Sequence, residues 1–375
     1  MRDLRPLGDT DRLEWLRLIR SENVGPVTFH ALMARFHSAG NALAALPDLA
    51  RQGGGRRIRI CPRDAAEREV EAVARLGGRL VALSEPGYPP LLATIDDAPP
   101  ILSVIGRDSL LAEPVIAIVG ARNGSANGIR FARSLARDLG RAGFVIVSGL
   151  ARGIDGAAHR GALESGTVAV MAGGVDVIYP RENEDLYAQV TEAGAVISEQ
   201  PLGLRPQARH FPFRNRLVSG LATATVVVEA TLQSGSLITA RLAGEQGREV
   251  LAVPGNPLDA RARGTNKLIR EGASLIEGAD DVLEVVAGVA HAPVAEPVVT
   301  PFIAPRGDAE EDDSALAEAR ECIARLLGAA PAGIDGIVRE SGLSPPVVAT
   351  VLLELELAGR LQRHPGGQVS LAFGG

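Results

Sequence analysis

The chain has 375 residues, 46% hydrophobic and 22% charged, with a formal net charge of −6; that is enough for two or three cored domains and unlike a disordered or fibrous protein. No apolar run approaches the ~20 residues that cross a bilayer, and the opening Met1-Arg-Asp-Leu-Arg-Pro lacks a signal peptide's apolar stretch, so a cytoplasmic protein without membrane contact is expected. Cys61 and Cys322 have no neighbour at metal-ligand spacing, which argues against zinc and redox chemistry, and the single lysine, Lys267, follows Asn266 and precedes Leu268, which excludes a Walker-type phosphate loop.

Residues 11–19, 26–37, 42–51 and 63–76 read as short helices joined by Gly- or Pro-marked turns. Asn23-Val-Gly-Pro26 reads either as a helix-hairpin-helix turn, whose amides can hold a phosphate, or as a plain connection. Residues 80–83 and 101–105 read as strands, and from residue 115 the pattern becomes apolar strands followed by helices, with strands at 115–119, 144–147, 167–171, 195–198, 225–229, 250–253 and 273–276. Near-continuous Val/Ile runs mean strands covered on both faces, hence an α/β, doubly wound, mostly parallel, Rossmann-like sheet. Its ligands are expected outside the carboxyl ends of the strands, where the glycine-rich turns at 120–124, 148–153, 172–174, 233–236 and 254–256 fall.

Residues 289–313 have a Pro-rich, acidic linker composition. Helical patterns at 315–327, 334–340 and 346–358, then a two-stranded wing at 359–363 and 368–371, make a winged helix; the domains predicted are 1–78, 79–288, the linker 289–313, and 314–375. The recognition helix carries Glu354 and Glu356 and no basic residue before Arg360. Phosphate repulsion disfavours duplex reading there, and a protein-docking or structural role is expected.

Charge is unevenly placed: residues 203–270 hold ten basic side chains against four acidic ones, and residues 296–313 six acidic against one basic. Within the basic segment, Arg209-His-Phe-Pro-Phe-Arg-Asn-Arg216 alternates rings with guanidinium groups in a chain of only twelve aromatic residues. That surface suits single-stranded nucleic acid, with a base on an aromatic face and phosphates on arginine forks. Phe211 is the expected platform, Arg214 and Arg216 the phosphate side, and Phe213 the ring assigned to the core.

The turns supply the rest. Amides at 121–127 and 149–155 are expected to bind phosphates at helix N-termini, through Gly120 and Arg122 in the first turn and Ser148, Gly149, Arg152 and Gly153 in the second. Ser234, Gly235, Ser236 and Thr239 suit oxyanion contacts. Gly264, Asn266 and Lys267 open a further helix, where a cation in the first turn opposes the helix dipole unless an anion sits there. Gly120, Gly124 and Gly128 do not have the G-x-G-x-x-G spacing of a dinucleotide site, and no acidic residue ends the second strand. Asp155, His159, Glu199 and Glu229 could support hydrolysis, but no nucleophile is paired to a base by spacing, and helix capping and loop bonding explain Asp155 and His159 better.

Ile118-Val-Gly-Ala-Arg122, Ser148-Gly-Leu-Ala-Arg-Gly-Ile-Asp-Gly-Ala-Ala-His159, Ala172-Gly-Gly-Val-Asp-Val-Ile-Tyr-Pro180, Phe211-Pro-Phe-Arg-Asn-Arg216, Ser234-Gly-Ser-Leu-Ile-Thr239 and Gly264-Thr-Asn-Lys-Leu-Ile269 together resemble the DprA/Smf family of DNA-processing proteins. The resemblance implies an extended Rossmann-like domain flanked by a helical SAM/helix-hairpin-helix-like domain and a winged helix. It implies a non-catalytic protein without cofactor that binds and protects single-stranded DNA, dimerises through the sheet domain and helps load a RecA-type recombinase in natural transformation, with a single-strand-binding protein among its partners. Arg122 would contact phosphate, Phe211 stack a base with Arg214 and Asn215 beside it, and Lys267 join the basic pocket. Ala121 stands where members commonly have Ser, and Phe213 is a ring the motif does not require. The alternative is a nucleotide hydrolase similar to phosphoribohydrolases, which need Pro-Gly-Gly-x-Gly-Thr followed by Glu where this chain has Ala172-Gly-Gly-Val-Asp176.

Overall fold

The computed structural model describes residues 6–55, 57–291, 313–364 and 367–372, and the linker expected at 289–313 falls almost wholly outside them. The chain opens with α1 (Asp9–Ile19), α2 (Pro26–Phe36), α3 (Ala39–Gln52) and α4 (Arg63–Arg75). A nine-stranded sheet follows: β1 (Gly78–Ala82), β2 (Ile101–Gly106), β3 (Val115–Val119), β4 (Val145–Ser148), β5 (Thr167–Val170), β6 (Ala195–Ser198), β7 (Ala224–Val227), β8 (Glu249–Ala252) and β9 (Ser274–Leu275). Its order is β1-β2-β6-β5-β4-β3-β7-β8-β9, with β1, β2 and β6 paired antiparallel and the rest parallel.

The helices of this layer are α5 (Ala126–Arg141), α6 (Ile154–Ala162), α7 (Glu184–Ala193), α8 (His210–Leu221), α9 (Gly235–Glu245), α10 (Arg263–Arg270) and α11 (Ala279–His291). β-branched Val and Ile fit a pleated, buried surface. Accordingly Ile116, Ile118, Ile146 and Val226 pack with Leu135 and Leu139 of α5 and Ala158 of α6 in one core, and Ala169 and Val196 pack with Leu186 and Val190 of α7 in another. From β3 the sheet grows one way through β4, β5 and β6 and the other way through β7, β8 and β9. That reversal between β3 and β7 is the switch point where doubly wound sheets open a ligand crevice. Among the described residues no helix is long and apolar enough to cross a membrane.

The described chain divides into two compact units, residues 68–291 and residues 7–67 with 313–372. The second contains α12 (Asp313–Leu326), β10 (Ala332–Gly333), α13 (Ile334–Ser341), α14 (Pro345–Leu357), β11 (Leu361–His364) and β12 (Gln368–Leu371). The wing expected as two strands is a three-stranded sheet ordered β10-β12-β11. A helix with apolar residues on opposite faces is buried on both, and the second half of α14 is: Val351, Leu352 and Leu355 enter the winged-helix core while Leu353 and Leu357 enter the core of α2 and α3.

The contact is close. A Cβ on Gly53 would lie 2.0 Å from the Glu354 carbonyl, Arg360 Nη1 donates to the Gly53 carbonyl at 3.2 Å, and Asn23, at φ 59°, donates from Nδ2 to the Leu357 carbonyl at 3.1 Å. Asn23 in the hairpin turn therefore engages the end of α14. The acidic recognition helix needs correcting too: Glu354 is 1% exposed and doubly hydrogen-bonded by Arg320, so its charge is held inside the unit and does not face solvent.

Candidate nucleic-acid interface

At the switch point a carboxylate of the protein itself sits at the start of α5. Ser125 caps α5 by accepting from the Gly128 amide at 2.9 Å, and its own amide and hydroxyl donate to Glu229, just beyond β7, at 2.8 and 2.6 Å. A Cβ on Gly128 would lie 2.6 Å from that carboxyl carbon, so glycine there makes room for the acid. The protein's own carboxylate satisfies the positive end of α5. Of the amides expected to bind phosphates at 121–127, that of Ser125 is thus taken by the protein itself.

One strand over, the turn after β4 is built on buried charge. Asp155, in the first turn of α6, accepts the Gly149 amide at 3.2 Å and those of Ala151 and Gly120 as well, tying both glycine turns together. Burial pushes its carboxyl up, opposed by the charge of Arg214. Arg214 is 6% exposed: Nη1 donates to the Val170 carbonyl at 3.4 Å, and Nε has no hydrogen-bond partner among the described residues. A Cβ on Gly149 would sit 1.3 Å from Nη1, so only glycine leaves the guanidinium its seat. Gly153, at φ 74°, lets the second turn approach the first, since a Cβ there would lie 2.3 Å from the Ala121 carbonyl.

Leu150 takes a left-handed φ of 54° and is held at both ends: its amide donates to His159 Nε2 at 3.3 Å and its carbonyl accepts Asn183 Nδ2 at 3.0 Å. Such a backbone persists only where its surroundings over-determine it. With Nε2 accepting, Nδ1 carries the proton and donates to Thr167 Oγ1 at 2.7 Å, which donates to the Ile146 carbonyl. Burial, then the charges of Arg214 and Arg160, lower His159 to about 3. Asp155 and His159 are thus internal braces, as the capping and loop-bonding reading expects. Among the described residues no group of His, Cys, Asp and Glu could hold a metal ion.

Above these braces lies a cleft of about 400 Å³ lined by Arg122, Arg152, Arg181 and Arg214 with Phe211 and Tyr179. Phe211, half-buried at the start of α8, has Arg122 Cζ 5.1 Å and Arg214 Cζ 5.8 Å from its centroid, within cation–π range. The Tyr179 ring is tilted against it at 57° with centroids 5.7 Å apart. Arg122, Arg152 and Arg181 are exposed, and Glu182 pairs with Arg152 at 3.4 Å. Four guanidinium groups around two rings make a place for a flat, anionic ligand.

Several expected contacts lie elsewhere. Arg216, placed on the phosphate side by its sequence, is 4% exposed, ion-paired with Glu199 and with Asp97 at 3.3 Å, and donates to the Asp97 carbonyl at 2.7 Å; its charge faces inward. Phe213, assigned to the core, is 49% exposed. Ser148 is fully buried and donates to the Ile118 carbonyl, while Ser234 caps α9, its hydroxyl 2.7 Å from that of Ser236; Ser236 and Thr239 are buried.

Asn215 reaches the start of α9, donating to the Gly235 carbonyl at 3.3 Å. The Gly264 amide donates to the Ala230 carbonyl at 2.7 Å, and Asn266 bonds the Gly255 amide and carbonyl. Lys267 lines a second cleft of about 730 Å³ with Ser234, apart from the rings, and pairs with Glu271 at 3.6 Å. Because α10 starts at Arg263 and is eight residues long, Lys267 falls in its last turn, where a cation suits the dipole, and the argument for an anion there lapses. Tyr179 and Arg181 were not among the expected site residues; Tyr179 sits inside a quoted motif, but nothing in its spacing says which way the ring points.

Comparison with known proteins gives the frame for this cleft. The family model of the DNA recombination-mediator protein A matches residues 79–287, that of the DprA-like N-terminal HHH domain residues 9–72 and that of the DprA winged helix domain residues 307–367. Protein Smf of Escherichia coli is 39% identical over 313 residues, 83% of this chain and 82% of its own. The X-ray structure of DNA processing protein A from Streptococcus pneumoniae superposes with a TM-score of 0.62 at 32% identity, covering 74% of this chain and 98% of that one. That of Helicobacter pylori, described with a unique single-stranded DNA binding mode, gives a TM-score of 0.51 at 30% identity, covering 54% and 93%. With more than half of the sequence inside the central model, this chain belongs to the DprA/Smf family of DNA-processing proteins.

Proposed function

We propose that the protein binds single-stranded DNA in the Phe211 cleft, protects it and helps load a RecA-type recombinase onto it during natural transformation, without catalysing a reaction and without a cofactor. The observation that carries this reading is Phe211 held beside Arg122 and Arg214 at the mouth of an arginine-lined cleft. A base stacks on an aromatic face regardless of sequence while guanidinium groups follow the backbone. The hydrolase alternative would need an acid and a base that reach a substrate, whereas Asp155 and His159 are buried and engaged with backbone amides.

The family resemblance supports a cytoplasmic site of action, a homodimer formed through the sheet domain, and a recombinase and a single-strand-binding protein as partners. It also supports reading 1–78, 79–288 and 314–375 as domains joined at 289–313. Fluorescence anisotropy with a labelled oligonucleotide and with its duplex, in EDTA and without nucleotide, tests the binding. Single strands should bind far more tightly, and equal affinity for duplex would refute the reading. Recombinase filament formation on strands coated with single-strand-binding protein tests the loading, which should accelerate when this protein is added.

A further inference from the structure

We infer that Tyr179 is a second stacking platform, so that the cleft takes two successive nucleotides, one base on Phe211 and its neighbour on Tyr179. This rests on the single-stranded DNA reading above.

Tyr179 is 45% exposed in a chain with twelve aromatic residues, and its turn is firmly built. The Gly174 amide donates to the Leu204 carbonyl and the Val177 amide to the Gly174 carbonyl, both at 3.0 Å. Tyr187 Oη donates to the Val175 carbonyl at 2.5 Å, and the Asp176 carboxylate accepts the Gly203 amide at 2.9 Å. On the far side the Asn183 amide donates to the Pro180 carbonyl at 3.1 Å. The ring is therefore presented from a fixed backbone, at little ordering cost to a ligand.

The ring geometry sets the stoichiometry. A base sandwiched between two rings needs about 7 Å, twice the contact distance of stacked carbons; the Tyr179 and Phe211 centroids are 5.7 Å apart and their planes 57° from parallel. No base enters between them, and each ring offers its own outward face. Stacked neighbours on one strand rise by about 3.4 Å, so bases seated on rings 5.7 Å apart and tilted must be unstacked from each other. A single strand can splay in this way and a paired duplex cannot without opening. The phosphate joining the two bases then falls among Arg122, Arg152 and Arg181. Arg122, over the Phe211 ring at 5.1 Å in the free protein, turns to that phosphate as a base takes its place.

The test uses the full-length protein and the shortest oligothymidylate it binds, read by anisotropy. Y179A should weaken binding about 5- to 150-fold, the range for losing one stacked base. Y179F, which keeps the ring, should stay within about twofold of wild type, and neither should change the salt dependence. Wild-type affinity in Y179A together with a loss in Phe211→Ala would overturn the two-base inference and leave the DNA reading standing. If both variants bind like wild type, the DNA reading falls with it. Should Y179A melt early, abasic substitution in the oligonucleotide asks the same of the unaltered protein: sensitivity at two adjacent positions supports the inference, and sensitivity at one position only overturns it.

Discussion

Replacing Gly149 by alanine should unseat the charge on which the cleft is built. The backbone there is not left-handed, so alanine adds no strain of its own; the whole effect comes from a Cβ placed 1.3 Å from Arg214 Nη1 and 2.3 Å from its Cζ. Arg214 is 6% exposed and cannot simply step aside. Once it leaves, Asp155 keeps its burial and loses the opposing charge that now lowers its pKa. Leaving one of two neighbouring buried charges uncompensated costs about 3–5 kcal/mol, which for a unit of this size lowers Tm by roughly 6–20 °C, taking about 2–4 °C per kcal/mol.

Phe211 loses one of its two guanidinium neighbours in the same step, so affinity for single strands should fall with stability. Thermal and urea melts followed by circular dichroism, on G149A, R214A and the double variant, isolate the cause. If the clash is the mechanism, G149A costs less than about 1 kcal/mol once Arg214 is gone. An unchanged Tm in G149A, or the same loss in both backgrounds, would refute the reasoning.

His159 makes the fold acid-sensitive. Unfolded histidine takes a proton below its ordinary value of 6.5 and the buried ring only near 3, so between those values the unfolded state binds more protons. Stability from this residue is complete above pH 6.5, falls by about 2 kcal/mol at pH 5 and by about 5 kcal/mol below pH 3. The pH dependence of urea midpoints in wild type minus that in H159Q measures it apart from Asp155, whose raised value acts in the opposite sense; parallel curves would show that the ring is not held neutral. Glu199→Ala, which removes a partner of buried Arg216, should cost about 3 kcal/mol in a denaturant melt. It should leave single-strand affinity unchanged at temperatures where the protein is folded, and a selective loss of affinity would return Arg216 to the binding surface.

The sheet was legible because Val/Ile runs flanked by glycine turns have one reading in an α/β protein, and Phe211 and Arg122 were legible because a ring and a guanidinium are marked by type. Direction was not legible. Arg214 and Arg216 look equivalent in sequence, yet one meets Asp155 and the other meets Asp97, 119 residues away. Phe213 and Phe211 were assigned the wrong relative exposure because the helix start fixes which ring turns outward, and the helix begins at His210. The apolar circumference of α14 was visible in Pro345-Pro-Val-Val-Ala-Thr-Val-Leu-Leu. Its two glutamates drew attention to charge, although Glu354 is balanced inside by Arg320.

The inward turn of these charges alters what the basic segment predicts. Counting 203–270 at face value suggests four to six engaged phosphates and a slope of log K against log salt near −3 to −4, at about −0.7 per phosphate on a single strand. But Arg216 is paired with Asp97 and Glu199, Arg241 with Glu245, Arg261 with Asp259 and Lys267 with Glu271. Arg214 is buried beside Asp155, and Arg248 donates to the Leu91 carbonyl. The cleft's exposed cations are Arg122, Arg152 and Arg181, all outside the basic segment in sequence and gathered beside Phe211 by the fold. Three phosphate contacts, that of Arg152 gained by opening its exposed pair with Glu182, give a slope of about −2. Arg122→Ala, Arg152→Ala and Arg181→Ala should each flatten it by about 0.7, and Arg216→Ala should leave it unchanged. A wild-type slope of about −4 would mean that the strand runs on beyond the cleft, onto the segment's exposed Arg205, Arg209, Arg263 and Arg270 or onto cations released from their ion pairs.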